Sequence, residues 1–151
     1  MLRKLLDENL IVFHKEFNSW EDAIKAGAQP LIDTNKITSE YTEAMINSVN
    51  EFGPYIVLAP NLAMPHATIG AAGVLDTATS LMVVEEAVSF AEGDPSKDAK
   101  LFITICASDE AKHMDNIMAV STLFSNQALV DDLIESRSVE DIENLIEKYS
   151  L

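Results

Sequence analysis

Phe52-Gly-Pro-Tyr-Ile-Val-Leu-Ala-Pro-Asn-Leu-Ala-Met-Pro-His-Ala-Thr-Ile-Gly-Ala-Ala-Gly-Val-Leu75 contains no Asp, Glu, Lys or Arg, in a chain of which 23% of residues are charged. One imidazole, His66, stands in the middle of it. The stretch holds three of the five prolines (Pro54, Pro60, Pro65) and three of the five glycines (Gly53, Gly70, Gly73). Proline fixes its own φ and biases the residue before it toward extended backbone, so Pro65 holds Met64 extended and presents His66 from a stiff loop. Thr68, Gly70 and Gly73 follow, and a loop of small residues can bring backbone N–H groups close to an anion. With no charged neighbour in sequence, nothing local moves His66 from the ordinary histidine range, which leaves a neutral nucleophilic nitrogen near pH 7. A histidine merely packed beside an apolar loop is the competing reading, and composition alone weighs the two equally.

Working outward, Tyr55-Ile-Val-Leu58 is a short β-branched run that reads as a buried strand. Upstream, residues 1–8 read as a short helix and residues 10–13 as a strand. Ser19-Trp-Glu-Asp22 is a capping box that opens an alanine-rich helix, which Pro30 should kink or end. Thr38 reads as the N-cap of a further helix through Tyr41, Met45, Ile46 and Val49, stopped by Gly53. Downstream, residues 77–84, 87–90 and 100–107 read as three strands, with a loop at Glu92-Gly-Asp-Pro-Ser96 before the last. Their apolar runs imply a sheet covered on both faces. From Asp109 the pattern is helical, with Ile117, Val120 and Phe124 in phase, then a segment over 126–135. Ser138-Val-Glu-Asp141 is another capping box before a terminal helix. Helices lie on both sides of the strands in sequence and there is no internal repeat or linker. An α/β layer structure in a single domain spanning 1–151 is the expected fold class.

The chain of 151 residues carries 25 acidic against 10 basic side chains, a net charge of -15, with 48% apolar residues. Such acidity argues against nucleic acid, whose phosphates require cationic partners, and favours steering toward basic proteins. Cys106 is the lone cysteine and cannot form an internal disulfide, and the opening Met-Leu-Arg-Lys-Leu-Leu-Asp lacks the apolar core of a signal peptide. A cytoplasmic location follows as an expectation. The prolines, glycines, Asn61 and His66 interrupt the uncharged stretch, so no insertion into a membrane is expected.

Of the three histidines, His14 sits at a strand end between charged neighbours and reads as solvated. His113 shares a helical stripe with Ile117, Val120 and Phe124, where a satisfied core histidine is the ordinary outcome. It also follows the strand at 100–107, as His66 follows the strand before it, and strand exits are where sites gather in α/β sheets. The two imidazoles can therefore meet at one edge. Neither His-x-His, His-Glu-x-x-His nor Cys-x-x-Cys occurs, so a metal site is not indicated. There is no Gly-x-Ser-x-Gly elbow, Walker loop or Gly-x-Gly-x-x-Gly, and no cofactor is expected.

The run from Phe52 to Ala67 closely resembles the active-site region of enzyme IIA components of the bacterial phosphoenolpyruvate-dependent sugar phosphotransferase system (PTS), mannitol/fructose type. It is most similar to the ascorbate branch, where Gly-Pro-Tyr precedes Met-Pro-His. The resemblance spans nearly the whole chain, including the segments around Trp20 and from His113 to Phe124. It implies a mixed sheet flanked by helices on both faces. It also implies a phosphocarrier that takes a phosphoryl group from HPr onto a histidine and passes it to a cysteine of enzyme IIB, which serves a membrane permease, enzyme IIC. By motif, His66 is implied as the phosphohistidine, phosphorylated on its tele nitrogen, and His113 as the family's second histidine, which helps hold the phosphoryl group. Ascorbate-type members often carry Arg where this sequence has Thr68, which leaves less positive charge near the site and the sugar open. A regulatory module that signals through the phosphorylation state of His66 is the alternative.

Overall fold

Two long antiparallel strands, β4 (Ala78–Ser89) and β5 (Asp98–Cys106), form the spine of the computed structural model, which describes every residue from Met1 to Leu151. Leu81 to Val84 and Leu101 to Cys106 are buried residue after residue. Because successive strand side chains point to opposite faces, both faces of the sheet are covered. β1 (Ile11–His14) runs parallel to β4 at one edge. β3 (Asn61–Ala63) runs parallel to β5, and β2 (Val57–Ala59) closes the other edge antiparallel to β3. The order β1-β4-β5-β3-β2 makes a mixed five-stranded sheet.

α2 (Trp20–Asp33) packs on β4, and α3 (Ser39–Phe52) packs on α2. α2 lies close to the sheet at Gly27, where a Cβ would stand in van der Waals contact, 3.4 Å from both Met82 Cε and Thr104 Oγ1. The Ser80 hydroxyl donates to Gly27 O at 2.7 Å and fixes the contact. α1 (Leu2–Asp7) packs on α6 (Val139–Lys148), while α4 (Glu110–Phe124) leads into α5 (Gln127–Ile134), which packs on β4 and β5. One cluster of 38 buried residues runs through sheet and helices. No helix is long and apolar enough to cross a membrane.

The sequence signals for helix starts translate directly into capping bonds. Ser19, Asp109, Asn126 and Ser138 each accept a backbone N–H from the first turn of the helix they open. Thr38 takes the N-cap position of α3, but its side chain makes no capping bond. Pro30 does not end α2, which continues to Asp33. A proline in the last turn forfeits one intrahelical bond only, and the buried ring is retained by packing.

Two strand expectations are corrected, and one strand is added. Residues 77–84 and 87–90 are one strand, β4, because Glu85-Glu86-Ala87 leaves the β5 ladder as an exposed bulge between the Val83 and Val88 pairings. Glu86 N meanwhile donates to Lys15 O at 2.8 Å, which keeps the chain extended. Tyr55–Leu58 is not a buried strand. Only Ile56 and Val57 are buried, and β2 begins at Val57 as an edge strand with Leu58 exposed. The short β3 carries no periodicity of its own, and its pairing with β5 is what makes it a strand.

Candidate active site at the ends of β3 and β5

Parallel pairing of β3 with β5 brings their C-terminal ends out at the same side of the sheet. Beyond β3 the chain continues extended through Met64 and Pro65, held by Met64 N to Ile56 O at 2.8 Å and Ile105 N to Pro65 O at 3.0 Å. His66 follows immediately. Beyond β5, Asp109 caps α4 by accepting Lys112 N at 2.8 Å, which sets His113 in the first turns of that helix. The His66 and His113 rings then face each other with centroids 6.4 Å apart.

His66 is restrained on several sides. Nδ1 lies 2.6 Å from Met64 O, and since a carbonyl only accepts, Nδ1 carries the proton and Nε2 is left as the unprotonated nitrogen. The Tyr55 ring meets the imidazole edge-on, with centroids 5.2 Å apart at 89°. The Tyr55 hydroxyl donates to His66 O at 2.7 Å. From beneath, Tyr41 donates to Ile105 O at 2.8 Å and accepts Ala67 N at 3.2 Å, tying the loop to β5. Burial pushes the Tyr41 phenol up to about 12, so it stays a neutral donor.

The surroundings of His66 correct one expectation. Its proton affinity is lowered from the ordinary 6.5, chiefly because burial disfavours the cation. The Met64 carbonyl works the other way, and the nearby His113 adds to the lowering. The neutral ring is thus favoured more strongly than the sequence implied. His66 opens on a cavity of about 320 Å³. Phe52, Ala67 and Ile69 form its apolar walls, Ser48, Tyr55 and Thr68 supply hydroxyls, and His113 lies across it, with no Asp, Glu, Lys or Arg among the lining residues. The absence of charge along the stretch persists in three dimensions.

Of the other sequence candidates, only Thr68 lines the cavity. His14 is exposed at the end of β1 and packs on Phe17. Cys106 is buried, its Sγ against Asp76 O, and burial raises its thiol to about 11, so it stays protonated. Thr68 lies exposed on the cavity rim. Gly73 does not cradle an anion: its carbonyl accepts Thr38 N at 2.8 Å, and a Cβ would fall 2.5 Å from Tyr41 N. Ser48 and the Met64 carbonyl went unnoticed in the sequence, and Tyr41 read only as a helix residue. Tyr55 lay within the quoted stretch, but only as a strand residue.

Residues 4–149 match the family model described as "Phosphoenolpyruvate-dependent sugar phosphotransferase system, EIIA 2". The chain is 32% identical over 145 residues to the ascorbate-specific PTS system EIIA component of Salmonella choleraesuis, covering 95% of this chain and 93% of that protein. The solution structure of the mannitol-specific cryptic phosphotransferase enzyme IIA from Escherichia coli superposes with a TM-score of 0.80 at 31% identity, over 93% of each chain. A complex of Escherichia coli mannitol enzyme IIA with phosphorylated enzyme IIB contains a chain that matches with a TM-score of 0.76 at 23% identity, over 92% of this chain and 94% of that one, a likeness of fold.

Proposed function

The chain belongs to the EIIA 2 family of the phosphoenolpyruvate-dependent sugar phosphotransferase system, whose members transfer phosphoryl groups, and from that premise we propose that His66 Nε2 is the atom that carries the phosphoryl group. The donor is HPr and the acceptor a cysteine of enzyme IIB, in the service of an enzyme IIC permease for a sugar or sugar acid of the ascorbate kind. The observation that carries the reading is the hydrogen bond from Nδ1–H to Met64 O, which leaves Nε2 with a free lone pair on a cavity without carboxylates.

Chemically, Nε2 attacks phosphorus in line as the N–P bond of the donor breaks, and the donor nitrogen leaves with that electron pair. No proton moves on His66. The ring becomes cationic as the new N–P bond forms, and the Nδ1–H to Met64 O bond strengthens accordingly. In the second step a cysteine thiolate attacks phosphorus, and Nε2 departs as neutral imidazole. Burial that disfavours the free imidazolium keeps the nucleophile available at the start and the leaving group neutral at the end. A carboxylate in the cavity would repel the incoming phosphoryl group, and none lines it.

The rim suits two successive partners. Phe52 (66% exposed) and Ile69 (47%) flank the cavity, and Met114 (51%) and Met118 (65%) stand on α4 beyond His113. Methionine adapts to different opposing surfaces, and an exposed apolar patch in an acidic chain favours basic, apolar-faced proteins. Incubation with phosphoenolpyruvate, enzyme I and HPr is expected to give acid-labile label on the unaltered chain and none on His66→Ala, with onward transfer to an ascorbate-type enzyme IIB. Label retained by His66→Ala would overturn the assignment.

A further inference from the structure

A phosphoryl group on His66 carries two negative charges into a half-buried cavity that no Lys or Arg lines. Its oxygens must therefore be met by neutral donors and by His113. Among the hydroxyls, the Tyr55 proton is committed to His66 O, and Thr68 lies out on the exposed rim. Ser48 differs from both. It lies on α3 two turns after Tyr41, and residues seven apart share a helix face. Tyr41 uses that face to bond Ala67 N and Ile105 O, so the same face looks onto the His66 loop. The hydroxyls of Thr122 inside α4, and of Thr34 and Ser136 just past the ends of α2 and α5, are tied back to the carbonyl four residues earlier, whereas Ser48 makes no such bond to Ala44. Its neighbour is the Tyr55 phenol at the cavity wall.

We propose that Ser48 is a catalytic residue of the relay, its hydroxyl donating to an oxygen of the phosphoryl group on His66 Nε2 and, with the His113 ring, standing in for a fixed cation. The inference rests on the phosphocarrier reading of His66. The Ser48 proton is not transferred. It leaves the Tyr55 side of the cavity for a phosphoryl oxygen as the N–P bond forms, and returns when phosphorus moves on to the next nucleophile. A neutral donor holds the group without the deep electrostatic trap of an Arg, which suits an intermediate that must be passed on.

The test is the rate of labelling by phospho-HPr, resolved into kcat and KM, together with the half-life of the phosphohistidine and its 31P chemical shift. Alanine is a better helix former than serine, so Ser48→Ala keeps α3. It is expected to lower kcat by about 10- to 100-fold, the worth of one hydrogen bond to a charged group, with KM for phospho-HPr unchanged and the 31P signal moved. Ser48→Thr, which keeps the hydroxyl, restores most of the rate, and Ser48→Arg lengthens the half-life while slowing transfer to enzyme IIB. Unaltered kcat, half-life and 31P shift in Ser48→Ala overturn the proposal and leave the His66 reading standing. A loss that Ser48→Thr does not restore also overturns it, since it marks packing rather than the hydroxyl. Failure of the unaltered chain to label overturns both.

Discussion

Two histidines stand at strand ends on opposite sides of this sheet, and they have little else in common. β1 runs parallel to β4, and β4 antiparallel to β5, so the end that carries His14 faces away from the end that carries His66. His14 is exposed, among Lys15, Glu85 and Arg137, with its ring against Phe17. His66 is half-buried, its Nδ1 on a backbone carbonyl, its ring against Tyr55, and no charged side chain lines its cavity. Position at a strand end does not by itself set the surroundings of an imidazole. Fixing one nitrogen by a backbone acceptor and removing water and charge from around the other is what separates the two.

The sharpest way to break this contrast is to exchange the histidines' fates. His66→Ala is expected to abolish labelling from phospho-HPr, while His14→Ala labels at the rate of the unaltered chain. Equal loss in both, measured by acid-labile radiolabel, would mean that the strand end itself matters and not its surroundings.

The next effect concerns what supports the His66 side. Gly73 has φ +94°, and a Cβ there would meet Tyr41 N at 2.5 Å and Thr38 Oγ1 at 2.8 Å. Gly73→Ala combines an unfavourable backbone region with a clash against the start of α3, and should cost about 2–4 kcal/mol in urea unfolding. Gly70 also has positive φ but no atom within 4 Å. Its Ala variant should lose about 1 kcal/mol, the backbone cost alone. Similar losses at both sites would remove the role of Gly73 in pinning the loop to α3.

His113→Ala probes the partner that His14 lacks. It should still accept a phosphoryl group, but pass it to enzyme IIB about 10- to 100-fold more slowly, as expected for the loss of one charge-assisted contact in a site without a fixed cation. Normal transfer with lowered stability would instead mark His113 as a core histidine only.

The smallest effect is in pH. In the proposed relay the attacking form of His66 is neutral, and its folded proton affinity lies below the ordinary 6.5. Labelling should therefore hold as pH falls through 6.5 and decline only below it. The same shift has a stability consequence. Where the unfolded chain binds the proton and the folded chain does not, stability rises with pH. The contribution is whole above about 6.5 and is lost as pH falls toward the folded value. His66→Ala should flatten this part of the profile and His14→Ala should leave it. A labelling midpoint above 6.5 would contradict burial as the dominant influence.

The helix starts at Ser19, Asp109, Asn126 and Ser138 were legible because a cap is a local bond between neighbours in sequence. The same holds for the stiff presentation of His66 by Pro65. Local rules failed where a long-range partner decided the outcome. Pro30 stays inside α2 because its ring is buried, and β4 runs through Glu85 and Glu86 because Lys15, just past β1, supplies a backbone partner on the other side. Tyr55 read as a strand residue and proved to be a clamp on His66, since its hydroxyl and ring act across a loop rather than along a strand.

By itself the sequence determined that one imidazole would stand on a rigid, uncharged segment, because prolines and the absence of ionisable neighbours are properties of the chain. Only the tertiary structure decided which nitrogen is free, that His113 lies opposite it, and that Tyr41, Tyr55 and Ser48 close around it. Those depend on β3 pairing parallel to β5 and on α3 lying against the loop, and such contacts between segments distant in sequence leave no mark in local periodicity or composition.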